Sequence, residues 1–145
     1  MSRFTRQISL LSVPVLLAAL TAPALADPGR SVDIKTGADL VAACQASLGR
    51  DTSQGGEVSA TACNQFLAGM VVAVYNSTEA GQATMLHRLG PKRDESVCFH
   101  LPQLLRYEEF STLVVAYAKT HPELNARPAV ELAGRSLADK YPCKE

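Results

Sequence analysis

The chain of 145 residues contains no tryptophan, and aromatic residues make up only 6% of it. It also has no excess of charge, because 14 basic residues balance 14 acidic ones. A protein that binds nucleic acid or an anionic membrane surface through its charge carries a clear basic excess. The even balance therefore argues against both kinds of partner.

The sequence also lacks the short motifs of common catalytic sites: it has no G-x-S-x-G, no H-E-x-x-H and no glycine-rich phosphate loop. The three histidines, His87, His100 and His121, are scattered, and no serine or threonine lies in a motif that would place it beside a histidine base. Glu108 and Glu109 are adjacent at a predicted helix start, where carboxylates complement the helix dipole. We therefore predict no catalytic residues, no metal, no cofactor and no enzyme activity.

The longest apolar run lies at the N-terminus. Arg3 and Arg6 precede an apolar stretch over residues 8–20, and Ala24-Leu25-Ala26 supplies small residues at both recognition positions of signal peptidase. This is the pattern of a secretory signal peptide. A membrane-spanning helix needs about 18 or more apolar residues, and this run is shorter. We expect a signal peptide over residues 1–26 with cleavage after Ala26, a periplasmic location, and one mature domain over residues 27–145 without a further membrane segment.

The four cysteines, Cys44, Cys63, Cys98 and Cys143, all follow the predicted cleavage site. No C-x-x-C pair occurs and no cysteine lies at ligand spacing from a histidine, which argues against zinc. An oxidising compartment favours two disulfides, for which three connectivities exist. An up-down-up-down bundle favours Cys44–Cys63 and Cys98–Cys143, because these residues then lie at the same end of neighbouring helices.

Apolar residues recur at helical spacing in four stretches, with no strand-like alternation between them. Thr36 and Asp39 form a capping box for the first helix, and Gly49 follows its last turn. Residues 50–58 are polar and rich in glycine, which predicts a mobile loop. We expect the second helix to begin with Ser59 as its cap.

Glycine and proline mark the rest of the helical pattern. Gly69 lies inside the apolar face of the second helix and predicts the close approach of a neighbouring backbone. The third helix follows Pro102 and ends at His121-Pro122, while the fourth lies between Pro128 and Pro142. The sequence thus predicts an all-α fold, a small bundle of about four to five helices with two disulfides.

The stretch between the second and third helices is the least defined. Residues 81–89 would extend the helix or form a short one, and Gly90-Pro91 breaks it. One interpretation of the charged turn that follows is a solvated loop. The other is a recognition loop, because rigid scaffolds often carry function on loops. Under the second interpretation, the candidate partner contacts are Arg88, Lys92, Arg93, Asp94 and Glu95.

Taken together, the order of the motifs resembles one family. The first helix reads TGADLVAAC, and C-x-x-F-L-x-G follows at residues 63–69. Cys98 then leads through Pro102 into a helix that ends in His121-Pro122-Glu123, and the chain closes with LADKYPC at residues 137–143. This combination resembles the Rap/Tai family of periplasmic immunity proteins associated with type VI secretion.

The resemblance implies a small helical protein, often dimeric, that binds and sterically blocks a peptidoglycan-cleaving amidase effector. The block would come from a loop or helix end inserted into the effector's cleft. The family's cysteines match all four here, and it has no catalytic residue to carry over. Val72, Leu105 and Val115 extend the helix faces beyond the needs of one small core, which favours a homodimer.

Other classes of protein remain as alternatives. The helical, disulfide-linked plan is similar to that of the HdeA-type acid chaperones, although two disulfides and few histidines argue against easy loosening in acid. An orphan binding or structural protein without a toxin partner is another alternative. A hydrolase would need a polar cluster that the sequence does not offer.

Overall fold

A computed structural model describes residues 32–49, 53–78 and 82–143 of the chain. The predicted signal peptide and its cleavage site lie outside the described residues. The elements are α1 (Gly37–Gly49), α2 (Gln54–Ser77), β1 (Thr84–Leu89), β2 (Glu95–Phe99), α3 (Tyr107–Thr120), a 3-10 helix (Pro122–Ala126) and α4 (Ala129–Lys140). The fold is therefore mostly helical, and the all-α prediction is wrong for one segment.

The start of α1 is fixed by the predicted capping box. The backbone N–H of Thr36 donates to Asp39 Oδ2 at 2.9 Å, and the backbone N–H of Asp39 donates to Thr36 Oγ1 at 3.2 Å. These bonds satisfy groups that a helix start leaves without an intrahelical partner. The cap thus explains why the helix begins at Gly37, beside the chain segment that leads into α4.

The second helix begins earlier than the sequence suggests. Ser53 is the N-cap, and its side chain accepts a hydrogen bond from the backbone N–H of Gly56 at 3.1 Å. Ser59 lies inside the helix, where its hydroxyl donates to the carbonyl of Gly55. The mobile-loop prediction is thus wrong for residues 54–58, because the Ser53 cap offsets the low helix propensity of the glycines. Residues 50–52 are not among the described residues.

The segment predicted as helix or loop forms a β-hairpin. Strands β1 and β2 pair antiparallel, with Thr84 opposite Phe99 and His87 opposite Ser96, and the register shifts between His87 and Leu89. Thr84 and Leu89 are buried, whereas Met85 is exposed. The shift is a bulge that interrupts the two-residue alternation. For this reason the pattern of strand residues is not visible in the sequence.

The second half of the domain follows the predicted order. Helix α3 begins at Tyr107, later than Pro102, and ends at His121, ahead of the proline that starts the 3-10 helix. Pro128 is the N-cap residue of α4, and Tyr141 is its C-cap. Two short bridges, Thr36 to Pro128 and Phe99 to Pro142, tie the two ends of α4 to the start of α1 and to β2.

All four helices and the hairpin enclose one apolar core. Its largest fully buried side chains include Leu40, Leu67, Phe99, Phe110, Val114, Leu132 and Leu137. Cys44 is bonded to Cys63, joining α1 to α2, and Cys98 is bonded to Cys143, joining β2 to the segment after α4. These are the two pairs that the sequence favours.

Glycines mediate close contacts at positions other than the predicted one. Gly69 is exposed, and a side chain added there would meet no atom within 4 Å, so the predicted close approach is wrong. Instead, Gly37 lies against the carbonyl of Leu124, and Gly134 lies against the side chain of Leu86. Gly134 therefore lets the hairpin approach α4 closely.

Candidate partner-binding site

The loop of the hairpin has a tightly defined backbone. Arg88, at the bulge, has φ 64° and Arg93 has φ 56°, while Gly90 between them has φ 77°. The backbone N–H of Arg93 donates to the carbonyl of Gly90 at 3.2 Å, which closes the turn. A left-handed conformation costs a residue other than glycine about 1–2 kcal/mol. The surrounding fold must hold both arginines in it. We call residues 88–94 the hairpin tip.

The side chain of Glu95 lies between the turn and α4. A side-chain carbon added to Gly90 would lie 2.6 Å from Glu95 Oε1, so any other residue at this position would displace the carboxylate. From there Glu95 reaches α4 and forms an ion pair with Arg135. Glu95 therefore links the turn to α4, although its position in the sequence suggests that it contacts a partner.

The ion pair continues into the protein as a chain of alternating charges. Arg135 Nε donates to Glu131 Oε1 at 3.1 Å, and the guanidinium of Arg127 binds Glu131 Oε2, also at 3.1 Å. The Glu131 side chain is only 3% exposed, and a charge so deeply buried requires paired partners. Glu95, Arg135, Glu131 and Arg127 thus connect the hairpin to the start of α4.

Apolar and covalent contacts fix the hairpin as well. Leu86 contacts Gly134, the residue next to Arg135, and Phe99 is fully buried in the core. The backbone N–H of His100 donates to the carbonyl of Tyr141 at 2.9 Å, next to the Cys98–Cys143 disulfide. The hairpin is therefore attached both to α4 and to the segment that follows α4, and these contacts fix the base of the tip.

The predicted contact residues separate into two groups. Arg88, Lys92, Arg93 and Asp94 are exposed, and none of them makes an ion pair or a side-chain hydrogen bond with the described residues. Glu95, by contrast, is engaged by Arg135. The tip therefore presents three cationic groups and one anionic group to solvent.

A polar cleft of about 360 Å³ lies beside the tip, lined among others by Pro91, Glu95, Arg127 and Arg135. On its far wall the ring of His121 stacks on Tyr117 with ring centres 4.1 Å apart, and its Nδ1 lies 3.1 Å from Glu123 Oε1. A hydrogen bond from the backbone N–H of Glu123, followed by that from His121, lowers the pKa of the Glu123 carboxyl. His121 and Glu123 are thus engaged with each other and with Tyr117 on this wall of the cleft.

The remaining histidines are also accounted for. His87 Nδ1 lies 3.0 Å from Ser96 Oγ across the hairpin, and His100 is exposed after β2. Over the described ranges, no group of three or more histidine, cysteine, aspartate or glutamate side chains is arranged to hold a metal ion. His87 and His121 thus make side-chain contacts within the domain, whereas His100 contributes a backbone hydrogen bond to Tyr141.

An apolar groove of about 640 Å³ runs along α2, between β1 and α4. Phe66, Met70, Leu86 and Val130 line it, and Gly69 leaves it open. Of the residues taken to favour a homodimer, Val72 is 56% exposed next to this groove. That expectation is wrong for the other two, because Val115 packs in the core and Leu105 packs against it.

Residues Gly55–Ser77 of α2 have the length and hydropathy to cross a membrane. The expectation that no second segment does so is therefore wrong. In this fold, however, Cys63 of α2 is bonded to α1, and Leu67, Met70 and Val74 pack in the core. These contacts tie α2 into the domain as a packed helix.

The comparisons with known proteins identify the family. The model of the Rap1a immunity proteins matches residues 36–143, a span that includes both disulfides and the whole hairpin. Neither the curated proteins nor the solved structures gave a significant match. Because the matched span covers well over half of the sequence, the chain belongs to the Rap1a immunity protein family.

Proposed function

We propose that this protein is a periplasmic immunity protein that binds and blocks a type VI secretion effector of the peptidoglycan amidase class. The observation that carries the proposal is the family match over residues 36–143, which describes immunity proteins. Proteins of such a family act by binding a toxic partner and need no catalytic groups of their own.

The proposed inhibition is steric. An amidase must admit a peptidoglycan strand into its cleft, and a folded protrusion in that cleft excludes the strand. The hairpin tip is the segment that would enter the cleft in this proposal, because its four charged side chains are exposed and its base is attached to α4 by the Glu95–Arg135 pair and to the segment after α4 by the Cys98–Cys143 disulfide. A fixed protrusion loses little conformational entropy on binding, which favours high affinity.

The proposed location is the periplasm, where the effector would attack the cell wall. The signal-peptide pattern of residues 1–26 supports export, and the two disulfides fit an oxidising compartment. A fusion of residues 1–26 to a reporter that is active only after export tests this directly, with Arg3 and Arg6 replaced by glutamate as the control. Reporter activity that does not depend on the leader would contradict it.

The experiment that tests the function is a titration against a secreted peptidoglycan amidase, to be sought first among the reading frames that neighbour the gene. Peptidoglycan digestion is followed while the purified mature protein is added. We expect digestion to stop at a stoichiometric ratio, together with a nanomolar dissociation constant. An amidase that digests at full rate in the presence of excess protein would contradict the proposal.

A homodimer is part of the proposal. Val72 and the apolar groove beside it offer an uncharged surface, since no charged residue occurs between Glu57 and Glu79. Sedimentation at micromolar concentration should give a dimer for the wild type and a monomer for Val72→Glu. Ala116→Glu, on an exposed position of α3, is the matched control and should remain dimeric. A monomeric wild type would contradict this part.

The acid chaperone remains the alternative class. Such a protein loosens at low pH, yet none of the three histidines is buried, so none would open the core when protonated. Suppression of the aggregation of unrelated clients at low pH would favour the chaperone. Tight binding to a single amidase at neutral pH would favour immunity.

A further inference from the structure

We infer that the hairpin tip is a cationic surface that binds an acidic cleft of the partner, and that Glu95 is a positioning residue for the tip. The inference rests on the proposed function and names the chemistry of the surface that the tip meets. It changes the sequence interpretation, in which Glu95 is one of five equivalent contact residues.

The net charge that the tip presents depends on whether the Glu95 carboxylate is paired. Residues 88–95 contain three basic side chains, Arg88, Lys92 and Arg93, and two acidic ones. Arg135 pairs with Glu95, whose side chain is 48% exposed, so Asp94 is the acidic residue of this segment that has no ion-pair partner among the described residues. The folded tip is therefore more cationic than its sequence.

A cationic protrusion selects its partner surface by charge. Carboxylates on the rim of a cleft would attract it and speed up association, whereas a basic rim would place like charges together at a cost of several kcal/mol. Arginine adds directional hydrogen bonds to a carboxylate, frequently two in parallel. Arg88 and Arg93 are exposed and available for such bonds. An acidic cleft is thus the surface that the tip fits.

The second part of the inference concerns shape. Arg88 and Arg93 both lie in the left-handed region, and the turn between them depends on Gly90, against which the Glu95 carboxylate packs. Without its bond to Arg135, Glu95 would no longer hold this position, and the two strained residues could relax. The ion pair therefore fixes the direction in which the cations project.

Two conservative substitutions separate charge from position. Asp94→Asn removes the one anionic group at the tip surface and should strengthen binding to an acidic cleft. Glu95→Gln also removes one negative charge, yet it breaks the bond to Arg135 and should weaken binding. If Glu95 were a simple surface charge, the two substitutions would act in the same direction.

The test uses the mature protein and the same peptidoglycan amidase, purified in a catalytically inactive form, with association followed by stopped flow at low and high salt. We expect the association rate of the wild type to fall steeply with salt, and Asp94→Asn to raise the low-salt rate about twofold to fivefold. Glu95→Gln should raise the dissociation constant about fivefold or more, because the tip must be ordered on binding. Glu108→Gln, on an exposed residue of α3, is the matched control and should change neither quantity.

Hydrogen exchange of the free protein measures how well the tip is ordered, a property that a change of charge alone would not alter. Exchange of the amides in residues 89–95 should speed up in Glu95→Gln and stay unchanged in Asp94→Asn. Weaker binding of Asp94→Asn, or equal strengthening by both variants, would overturn the inference while leaving the immunity function intact. An amidase that does not bind the wild type at all would overturn the proposed function itself.

Discussion

Arg135 of α4 and Glu95 of β2 form an ion pair between residues 40 positions apart in the sequence. The same guanidinium binds the buried carboxylate of Glu131, which Arg127 holds from the other side. One side chain thus joins the core of the domain to the base of the hairpin. Three kinds of contact converge on this part of α4, because Gly134 receives Leu86 and the segment after α4 carries the disulfide to β2.

Replacing either arginine tests how the charge chain works. Arg135→Gln removes one partner of Glu131 and releases Glu95, whereas Arg127→Gln removes the other partner and leaves the hairpin attached. We expect each variant to lose about 1–3 kcal/mol in urea unfolding, because a buried acceptor loses a hydrogen bond. Only Arg135→Gln should speed up amide exchange in residues 89–95. Equal exchange in the two variants would show that the ion pair does not hold the tip.

Two glycines inside helices should respond in opposite directions to alanine. At Gly134 the new methyl group would lie 2.5 Å from Leu86 Cδ1, so Gly134→Ala should destabilise the protein by about 1–3 kcal/mol. At Gly69 the new methyl group would meet no atom of another element within 4 Å. Gly69→Ala should therefore stabilise the protein by about 0.5–1 kcal/mol through helix propensity. Thermal unfolding measures both changes. If Gly134→Ala were also stabilising, the close contact of the hairpin with α4 would be refuted.

The two disulfides should differ in their reactivity toward reductants. Cys44 and Cys63 are fully buried, whereas Cys98 and Cys143 are partly exposed. An attacking thiolate needs access to the sulfur, so mild reduction of the native protein should open Cys98–Cys143 first. Alkylation followed by mass spectrometry identifies the order. Opening of the buried pair first would indicate that this end of the core unfolds locally.

The capping box of α1 predicts a pH dependence of stability. Hydrogen bonds from the backbone N–H and the hydroxyl of Thr36, followed by that from the Lys35 N–H, hold the pKa of Asp39 below its ordinary value of 3.8. A lowered pKa in the folded state gives stability that is fully present above the unfolded value and is lost as the pH falls through the folded value. The advantage of the wild type over Asp39→Asn should therefore shrink below about pH 4.

Thermal unfolding between neutral pH and acid checks this, with Thr36→Val as the second variant. Loss of the Thr36 hydroxyl removes part of the stabilisation and leaves the carboxylate in place. Thr36→Val should lie between the wild type and Asp39→Asn at neutral pH. A difference between wild type and Asp39→Asn that stayed constant down to the lowest pH would contradict the account of the cap.

The sequence predicts the helical part of this fold because its signals are local. The capping pair Thr36 and Asp39 and the stop at His121-Pro122 depend on neighbouring residues alone. The sequence also favours Cys44–Cys63 and Cys98–Cys143 through an assumed order of four helices, although Cys98 lies in β2 and not at the start of α3.

The hairpin could not be predicted in the same way. A bulge at Arg88 breaks the alternation of β1, and the strands are short, so the pattern offers no period of two. The role of Glu95 depends on its contact with Arg135, which is 40 positions away in the sequence, and no rule based on neighbouring residues predicts that contact. A weak signal was Gly90-Pro91, which marks a turn that a hairpin can use as well as a loop. The exposure of the charged turn residues is therefore predictable from the sequence, whereas the ion pair at their base is not.

Reversing the charge of the hairpin tip tests the central claim most directly. The measurement is inhibition of the proposed amidase effector on peptidoglycan by the wild type and by the triple variant Arg88→Glu, Lys92→Glu, Arg93→Glu. Circular dichroism and thermal unfolding should show that the variant is folded, because all three side chains are exposed. The account predicts that the wild type stops digestion at a stoichiometric ratio and that the folded variant does not. A variant that inhibits as well as the wild type would contradict the assignment of partner binding to the tip.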